Sequence, residues 1–472
     1  MLPLIPILLV MTVLVADGGL LVPISEEGGP TAEWVAVWAM GPTILTILLS
    51  ALVLWRAERE VARGRPSALR MAHRVRSVAL WLVLLNYMAS VLLLDWLGVV
   101  RSVFGDWLLV GELLVMVPPV LGCICLWWSW YPIERRLHEA ALLHRLDRGL
   151  PVHLPPERGP YVSTQLRVHV LMMLAPMLLI LAASDAIELL VLDDGKGSST
   201  DITVAAVLTF AVALFIFLVS PWIARIVLGL RPMPPGAVRE DLQAICDRHG
   251  VTVRDIMLWR TRGTMVNAAV VGLVPWIRYV LLTDALLEQV PRPQVLAVMA
   301  HEVGHVRCRH MPTMLLALLA LVVVSELLVQ SLVWSVPGLF PVDGPFGEVV
   351  GLLLSLVVII IGFGWVSRRI ERQADTFAVR DLSMQQSDDG RATPDAIESM
   401  AGALECISSL HGVEPGRRSW RHGAIAWRCG YLRTLTGRAV TALPIDRIIR
   451  VVQVASVAIL LLGGLLYLDS VT

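Results

Sequence analysis

The residues best suited to carry out chemistry stand together in the pentapeptide His301-Glu302-Val303-Gly304-His305. On an α-helix, histidines four positions apart lie on one face, so both imidazoles can bind the same zinc ion at about 2.0 to 2.1 Å. Glu302 would then lie beside the open coordination position, where a carboxylate acts as general base. The alternative is a core helix with two hydrogen-bonded histidines and a surface glutamate.

Several elements must position this pentapeptide, beginning with its own helix. Residues 293–300 are rich in apolar side chains, and the proline at their start suits the first turn of a helix. The pattern around them predicts a helix over 236–249, strands over 252–259 and 279–283, a helix beginning at 284–290, a loop over 387–393 and a helix over 394–410.

A catalytic zinc also needs a third protein ligand, and one position must stay free for water. The best candidate is Glu371, in the segment 368–375 with the sequence RRIERQAD. Asp375 follows it by four positions, so on one helix the two carboxylates share a face. Asp375 could then hydrogen-bond to a zinc-binding side chain and orient it. The alternative is a solvated, charged helix face just beyond a membrane span.

The order HExxH, two apolar segments and then ExxxD resembles the integral-membrane zinc peptidases of the HtpX and CaaX prenyl protease type. The resemblance covers roughly residues 232–438. It implies a zincin-like α+β domain with one zinc ion per chain, bound by His301, His305 and Glu371. It also implies that Glu302 is the catalytic base and that Asp375 supports the ligands.

Two further segments carry the resemblance. Asn267 and Ala268 lie in a stretch similar to the family's extended segment beside the cleft, which implies that they bind substrate by strand addition. His422, followed by Gly423, and Arg428 six residues later are similar to a family element that points polar groups at the site. They are candidates for stabilising the oxyanion. For Asn267 the alternative is an ordinary turn asparagine. For His422 and Arg428 the alternative is a basic cytosolic surface.

The composition predicts a membrane protein. Hydrophobic residues make up 56% of the chain and charged residues 17%, with a mean hydropathy of +0.71, whereas soluble domains carry about 25% charged residues. The formal net charge is zero, which gives no indication of nucleic-acid binding. The six cysteines form no CxxC pair, and Cys308 is interpreted as structural.

Nine apolar windows approach the 20-residue length of a membrane span. They are residues 3–22, 34–55, 77–100, 107–131, 168–190, 202–230, 313–333, 349–366 and 451–468. The first is interrupted by two prolines, an aspartate and a Gly-Gly pair. The sequence therefore predicts an α-helical polytopic bundle of about nine spans that carries the α+β peptidase domain.

Arginine is concentrated in residues 56–76 and 135–167, between successive windows, so both segments are predicted to face the cytoplasm. Because successive loops lie on alternate sides of the membrane, the N-terminus is predicted to lie inside and the C-terminus outside. Both predicted zinc-binding motifs then lie at the cytoplasmic face. The predicted parts are a membrane region (1–230), a cytoplasmic part with HExxH (231–312), two spans (313–366), a cytoplasmic part with ExxxD (367–450) and a final span (451–472).

These expectations together predict a membrane-embedded zinc endopeptidase whose partners are a polypeptide substrate, expected to be a membrane protein, and the lipid bilayer, with no nucleic acid. By resemblance to HtpX, the expected substrates are damaged membrane proteins; by resemblance to the CaaX proteases, the alternative is the processing of lipidated C-terminal peptides. The arginine-rich loops favour a bacterial inner membrane. Two other classes stay open: a non-catalytic scaffold, and a transporter gated at the intramembrane acids Glu112 or Glu326. Oligomeric state cannot be read from the sequence.

Overall fold

The structure is a computed structural model that describes residues 4–17, 31–105, 107–147, 153–192, 198–263, 265–335, 345–441 and 443–471. Its described residues are mostly helical and divide into two compact units, Met1–Gly229 and Leu230–Thr472. The functional residues predicted from the sequence, with the exception of the intramembrane Glu112, all belong to the second unit.

The first unit is built of helices. In chain order they are α1 (Leu4–Asp17), α2 (Ala32–Ala62), α3 (Pro66–Leu93), α4 (Trp96–Phe104), α5 (Val110–Asp147), α6 (Arg158–Leu166), a π-helical turn (Arg167–Leu171), α7 (Met172–Val191) and α8 (Ser199–Leu228). The predicted third span, 77–100, is broken near its end. Asp95 adopts a left-handed conformation with φ 54° and caps α4, its carboxylate accepting a hydrogen bond from Gly98 N.

The second unit combines a small sheet with helices. Its elements are β1 (Arg231–Pro232), α9 (Ala237–Arg248), β2 (Asp255–Trp259), β3 (Ala268–Val271), β4 (Tyr279–Thr283), α10 (Asp284–Gln289), α11 (Arg292–Arg307), α12 (His310–Ser335), α13 (Pro345–Gln386), α14 (Pro394–Leu410), α15 (Ile425–Arg433) and α16 (Pro444–Val471). A short 3-10 turn, Pro275–Ile277, precedes β4.

The sheet has the strand order β1-β2-β4-β3. Strand β2 runs parallel to β4, and β3 pairs with β4 in the antiparallel direction. Because β4 is fully buried and rich in apolar residues, it forms the centre of the sheet, and β3 is left as an open edge. The core beneath the sheet includes Ile256, Leu282, Met299 and Met400, all at most 1% exposed.

Helix α13 joins the membrane region to the site. It is one continuous helix of 42 residues, so the apolar segment predicted as a span runs without interruption into the segment that holds Glu371. The predicted part boundary at 366/367 therefore falls inside a helix. Because the helix is continuous, Glu371 lies at a fixed distance along the helix axis from the end of the apolar segment.

Eight helices are long and apolar enough to cross a membrane, counted over the described residues. They correspond to eight of the nine predicted windows. The first window, 3–22, is described only as α1, a helix of 14 residues that ends at Asp17, and residues 18–22 lie outside the described part. The predicted fold class, a polytopic helical membrane protein with a small α+β domain, is confirmed.

Candidate metal centre

Helix α11 carries the HExxH residues and packs closely against α13. Gly304 permits this approach, because a Cβ at that position would lie only 3.0 Å from Cδ1 of Phe377 on α13. The close packing brings the histidines of one helix up to the glutamate of the other. A Cβ at position 304 would require the Phe377 side chain or its helix to shift by a few tenths of an ångström.

Three side chains converge where α11 faces α13. The Nε2 atoms of His301 and His305 are 3.1 Å apart. Glu371 Oε2 lies 3.9 Å from His301 Nε2, and Glu371 Oε1 lies 4.0 Å from His305 Nε2. The three groups form the one cluster of potential metal ligands found among the described residues. The residues predicted as zinc ligands are thus brought together.

The spacing fits a zinc ion. Ligand atoms at about 2.0 to 2.1 Å from a tetrahedral zinc lie roughly 3.3 Å from one another, close to the separations found here. Two imidazole nitrogens and one carboxylate also form the donor set of catalytic zinc sites, which leave a fourth position for water. The geometry and the chemistry of the donors both fit the predicted metal.

Asp375 and Arg428 lie behind this cluster. Asp375 Oδ1 is 3.0 Å from His301 Nδ1, on the side of the ring away from the other ligands. Arg428 donates from Nε and Nη2 to the two oxygens of Asp375, at 2.7 and 2.6 Å, and its Nη1 is 3.4 Å from Glu371 Oε2. Asp375 is 1% exposed and Arg428 6%. The pair therefore holds His301 and Glu371 in place from inside the protein.

A second chain of contacts lies behind His305, and the sequence analysis missed it. His310 Nδ1 is 2.9 Å from His305 Nδ1, and His310 Nε2 is 2.9 Å from Gln373 Oε1. Gln373 Nε2 in turn donates to Asp446 Oδ1 at 2.7 Å, and Asp446 also accepts from Arg380 at 2.8 Å. A signal was present: His310 follows His305 by five residues, immediately before an apolar span.

Glu302 connects the metal centre to the open edge of the sheet. Its Oε2 accepts a hydrogen bond from Val270 N on β3 at 3.2 Å. Thr283 N donates to Asn267 O, so alternate residues of β3 pair with β4 while Ala268 and Val270 present their peptide groups at the edge. The candidate base therefore lies against a strand edge that can accept another strand.

The remaining predicted residues occupy different surroundings. His422 Nδ1 lies 3.1 Å from Glu371 Oε1, and half of the His422 side chain is exposed. Asn267 has an exposed side chain, while its backbone is paired with Thr283. Ala268 begins β3. The structure thus brings Asp375, His422 and Arg428 to the three clustered side chains, whereas Asn267 and Ala268 lie on the strand whose Val270 contacts Glu302.

The protein environment changes the acidity of these groups. Burial raises the pKa of Glu302 to about 7, with a further contribution from the charge of Glu371. Burial and the neighbouring His301 and His310 hold the pKa of His305 well below its ordinary value, which keeps that imidazole neutral and able to bind a metal. Against the effect of burial, the carboxylate of Asp375 raises the pKa of Arg428.

The part of the chain that contains this site is similar to known proteins. Residues 238–410, which include both metal-binding motifs, match peptidase family M48. A curated relative, the protease HtpX homolog of Aeropyrum pernix, is 31% identical over 132 residues, which are 28% of this chain and 40% of that protein. The chain thus spans about two fifths of the relative's length. The resemblance to membrane zinc peptidases of the HtpX type is confirmed.

A solved structure was also compared. The crystal structure of Ste24p from S. mikatae aligns with 85% of this chain and 99% of its own, at 18% identity and a TM-score of 0.41.

Proposed function

We propose that this chain, whose residues 238–410 belong to peptidase family M48, is a zinc-dependent endopeptidase embedded in a membrane. The observation that carries the proposal is the convergence of His301 Nε2, His305 Nε2 and the Glu371 carboxylate from two different helices. Glu302 stands on the same helix as the two histidines and hydrogen-bonds to an open strand edge. A scaffold protein has no need of this combination.

In the proposed site, zinc is held by His301, His305 and Glu371. When bound, the metal supplies Lewis-acid chemistry that polarises the scissile carbonyl and makes water more acidic. Glu302 accepts the proton of the attacking water and passes it to the leaving amine. A base with a pKa near 7 is suited to both steps at neutral pH.

The substrate backbone is proposed to add to β3 as a further strand. Ala268 offers its outward-facing N–H and C=O for this pairing, and Val270 offers its C=O. Because Val270 N also donates to Glu302, the strand that would hold the substrate also helps to position the base. Asn267, exposed just before the strand, is proposed to contact the substrate with its side chain.

His422 and Arg428 are proposed to play different parts. His422 is half exposed beside Glu371, so it can reach the developing oxyanion. Arg428 is buried against Asp375 and Glu371, which suits a positioning residue. In this proposal Arg428 therefore orients Asp375 and Glu371 and does not contact the oxyanion.

The intramembrane acids offer little support for a transporter. Glu112 is paired with Arg101, whose Nη2 lies 2.5 Å from Glu112 Oε1. Glu326 accepts a hydrogen bond from Gln330 one turn away at 2.8 Å. Both carboxylates therefore have local partners that account for their presence within apolar helices.

The test combines metal content with proteolysis. Detergent-purified protein should hold one zinc per chain and cleave casein. Glu302→Gln should keep its zinc and lose activity by about 100-fold or more, because only the proton acceptor is removed. Glu371→Ala should lose or weaken zinc binding. Glu326→Gln is a matched carboxylate-to-amide control and should change neither property.

Two results would contradict the assignment. Wild-type protein that binds no zinc after reconstitution would exclude the metal centre. Normal binding and cleavage by Glu371→Ala would show that the third ligand is wrong. Either result would favour the non-catalytic scaffold.

The setting and substrate are also proposed. The arginine-rich segments favour a cytoplasmic face for the site, with the N-terminus inside and the C-terminus outside, in a bacterial inner membrane. Clearance of damaged membrane proteins is the favoured role, and processing of lipidated C-terminal peptides is the alternative. Comparing cleavage of an unfolded membrane protein with that of a prenylated peptide would distinguish the two.

A further inference from the structure

A cavity with basic and aromatic walls is lined by Arg372 and Gly423, the residues that directly follow Glu371 and His422 in the sequence. It has a volume of about 780 Å³. Its charged and aromatic lining consists of Arg368, Arg369, Arg372, Arg418, Trp420 and Trp427. None of the metal ligands lines it, and neither does any aspartate or glutamate.

The four arginines of this cavity are not neutralised by carboxylates. Among the described residues, none of them takes part in an ion pair. Instead, Arg369 lies over the ring of Trp365 at 3.7 Å, and Arg372 lies over that of Trp427 at 4.1 Å. Arg372 Nε is buried without a hydrogen-bond partner among the described residues. Four positive charges around one cavity favour an anionic ligand.

The cavity lies where the apolar surface of α13 ends. Val357, Ile361 and Trp365 on this helix are exposed, as expected of a surface that faces lipid, and the first arginines follow within one turn. Trp420 reaches back onto the same span, its indole N–H donating to Ile360 O at 2.9 Å. The cavity therefore opens at the height at which phospholipid headgroups meet a membrane helix.

We propose that this cavity binds the phosphate-bearing headgroup of an anionic phospholipid, with the acyl chains lying along the apolar face of α13. The excess of positive charge favours a net negative headgroup over a zwitterionic one, whose own cation would face the arginines. The site goes beyond peptide hydrolysis. Since the loop that forms one wall also carries His422, a bound lipid would stabilise the position of that histidine next to Glu371.

The experiment measures lipid binding to full-length Glu302→Gln protein, so that the result does not depend on proteolysis. Native mass spectrometry in a neutral detergent compares phosphatidylglycerol with phosphatidylcholine. Phosphatidylglycerol should bind at least about tenfold more tightly. The double variant Arg368→Gln, Arg372→Gln should bind phosphatidylglycerol about 30-fold more weakly, at about fivefold per arginine.

The matched control is the double variant Arg447→Gln, Arg450→Gln. These exposed arginines lie at the start of α16, near the residues that pack against Val366 and Ile370 of α13, and they are outside the cavity. The control loses the same charge and should bind phosphatidylglycerol within about twofold of the parent. Equal loss of binding in both double variants would overturn the proposal, since it would show a general effect of surface charge.

Two single variants test the proposal if the double variant fails to fold. Arg418→Gln, on the exposed loop, should weaken binding about fivefold, whereas its neighbour Arg417→Gln, which does not line the cavity, should not. Displacement of phosphatidylglycerol by equimolar inorganic phosphate would overturn the lipid assignment in favour of a free-anion site. Displacement by a peptide with a free C-terminal carboxylate would overturn it in favour of a substrate subsite.

Discussion

The imidazole of His310 lies directly behind that of His305, with the two Nδ1 atoms 2.9 Å apart. If His305 binds the metal through Nε2, its Nδ1 carries the proton and donates to His310. His310 then donates from Nε2 to Gln373, and Gln373 donates to Asp446 at the start of α16. Every group in this chain thus has a defined hydrogen-bond role, which orients the ligand ring.

His310→Ala is therefore expected to weaken zinc binding by about 10-fold to 100-fold, because the ligand imidazole loses its acceptor. Zinc affinity should be measured by competition with a chromogenic chelator. His411→Ala, an exposed histidine of the same unit, is the control and should bind zinc normally. Unchanged zinc affinity in His310→Ala would show that the contact has no positioning role.

Arg428→Ala is expected to destabilise the protein by about 3 to 5 kcal/mol, since the buried carboxylate of Asp375 would lose its cation. Arg433→Ala is a matched control on the same helix. Arg433 pairs with Glu398 and Glu405 at the surface, and such pairs contribute about 0 to 1 kcal/mol. The two variants should be compared by denaturant or thermal unfolding in detergent. Similar losses in both would contradict the assigned importance of the buried pair.

Val270→Pro removes the backbone N–H that donates to Glu302 while leaving the pairing of β3 with β4 intact, because that N–H faces the open edge. We expect kcat/KM for casein to fall by about 10-fold to 100-fold, as for loss of a hydrogen bond to a charged group. Zinc content should not change. Val270→Ala keeps the N–H and should retain most of the activity; if it is equally impaired, the side chain matters rather than the hydrogen bond.

Acid should loosen the segment that precedes the edge strand. Asp284 accepts hydrogen bonds from Thr261 N, Thr261 Oγ1 and Arg262 N at 2.9, 2.6 and 2.8 Å. Although burial opposes it, these donors hold the pKa of Asp284 below its usual value. The stability that the carboxylate contributes is therefore complete above the pKa of the unfolded chain, and it is lost as the pH falls through the lower folded value.

Asp284→Asn should accordingly lower the unfolding temperature at pH 7, and the difference from wild type should shrink as the pH falls below about 4. Thermal unfolding followed between pH 7 and pH 3 is the measurement. Asp247→Asn, an exposed aspartate on α9, should show no comparable difference at either end. A difference that stays constant with pH would mean that the charge of Asp284 is not responsible.

Local sequence alone was sufficient for much of the peptidase domain. The strand 279–283 and the helix 394–410 were predicted with the bounds that the structure has, because a short continuous apolar run and an N-terminal Thr-Pro pair are local signals. The HExxH and ExxxD motifs, each recognisable from spacing within one helix, identified His301, His305, Glu371 and Asp375, which the structure brings together. The length and apolar character of the later windows likewise predicted their spans.

Only the tertiary structure decided which distant groups meet. His310 to Gln373, Arg428 to Asp375 and Trp420 to Ile360 are contacts between residues 53 or more positions apart. Hydrophobic periodicity says nothing about such pairs. The break at Asp95 and the continuity of α13 through Glu371 also depended on backbone geometry. Periodicity reports which face of an element is buried, whereas the partner on that face is set by the packing of the whole chain.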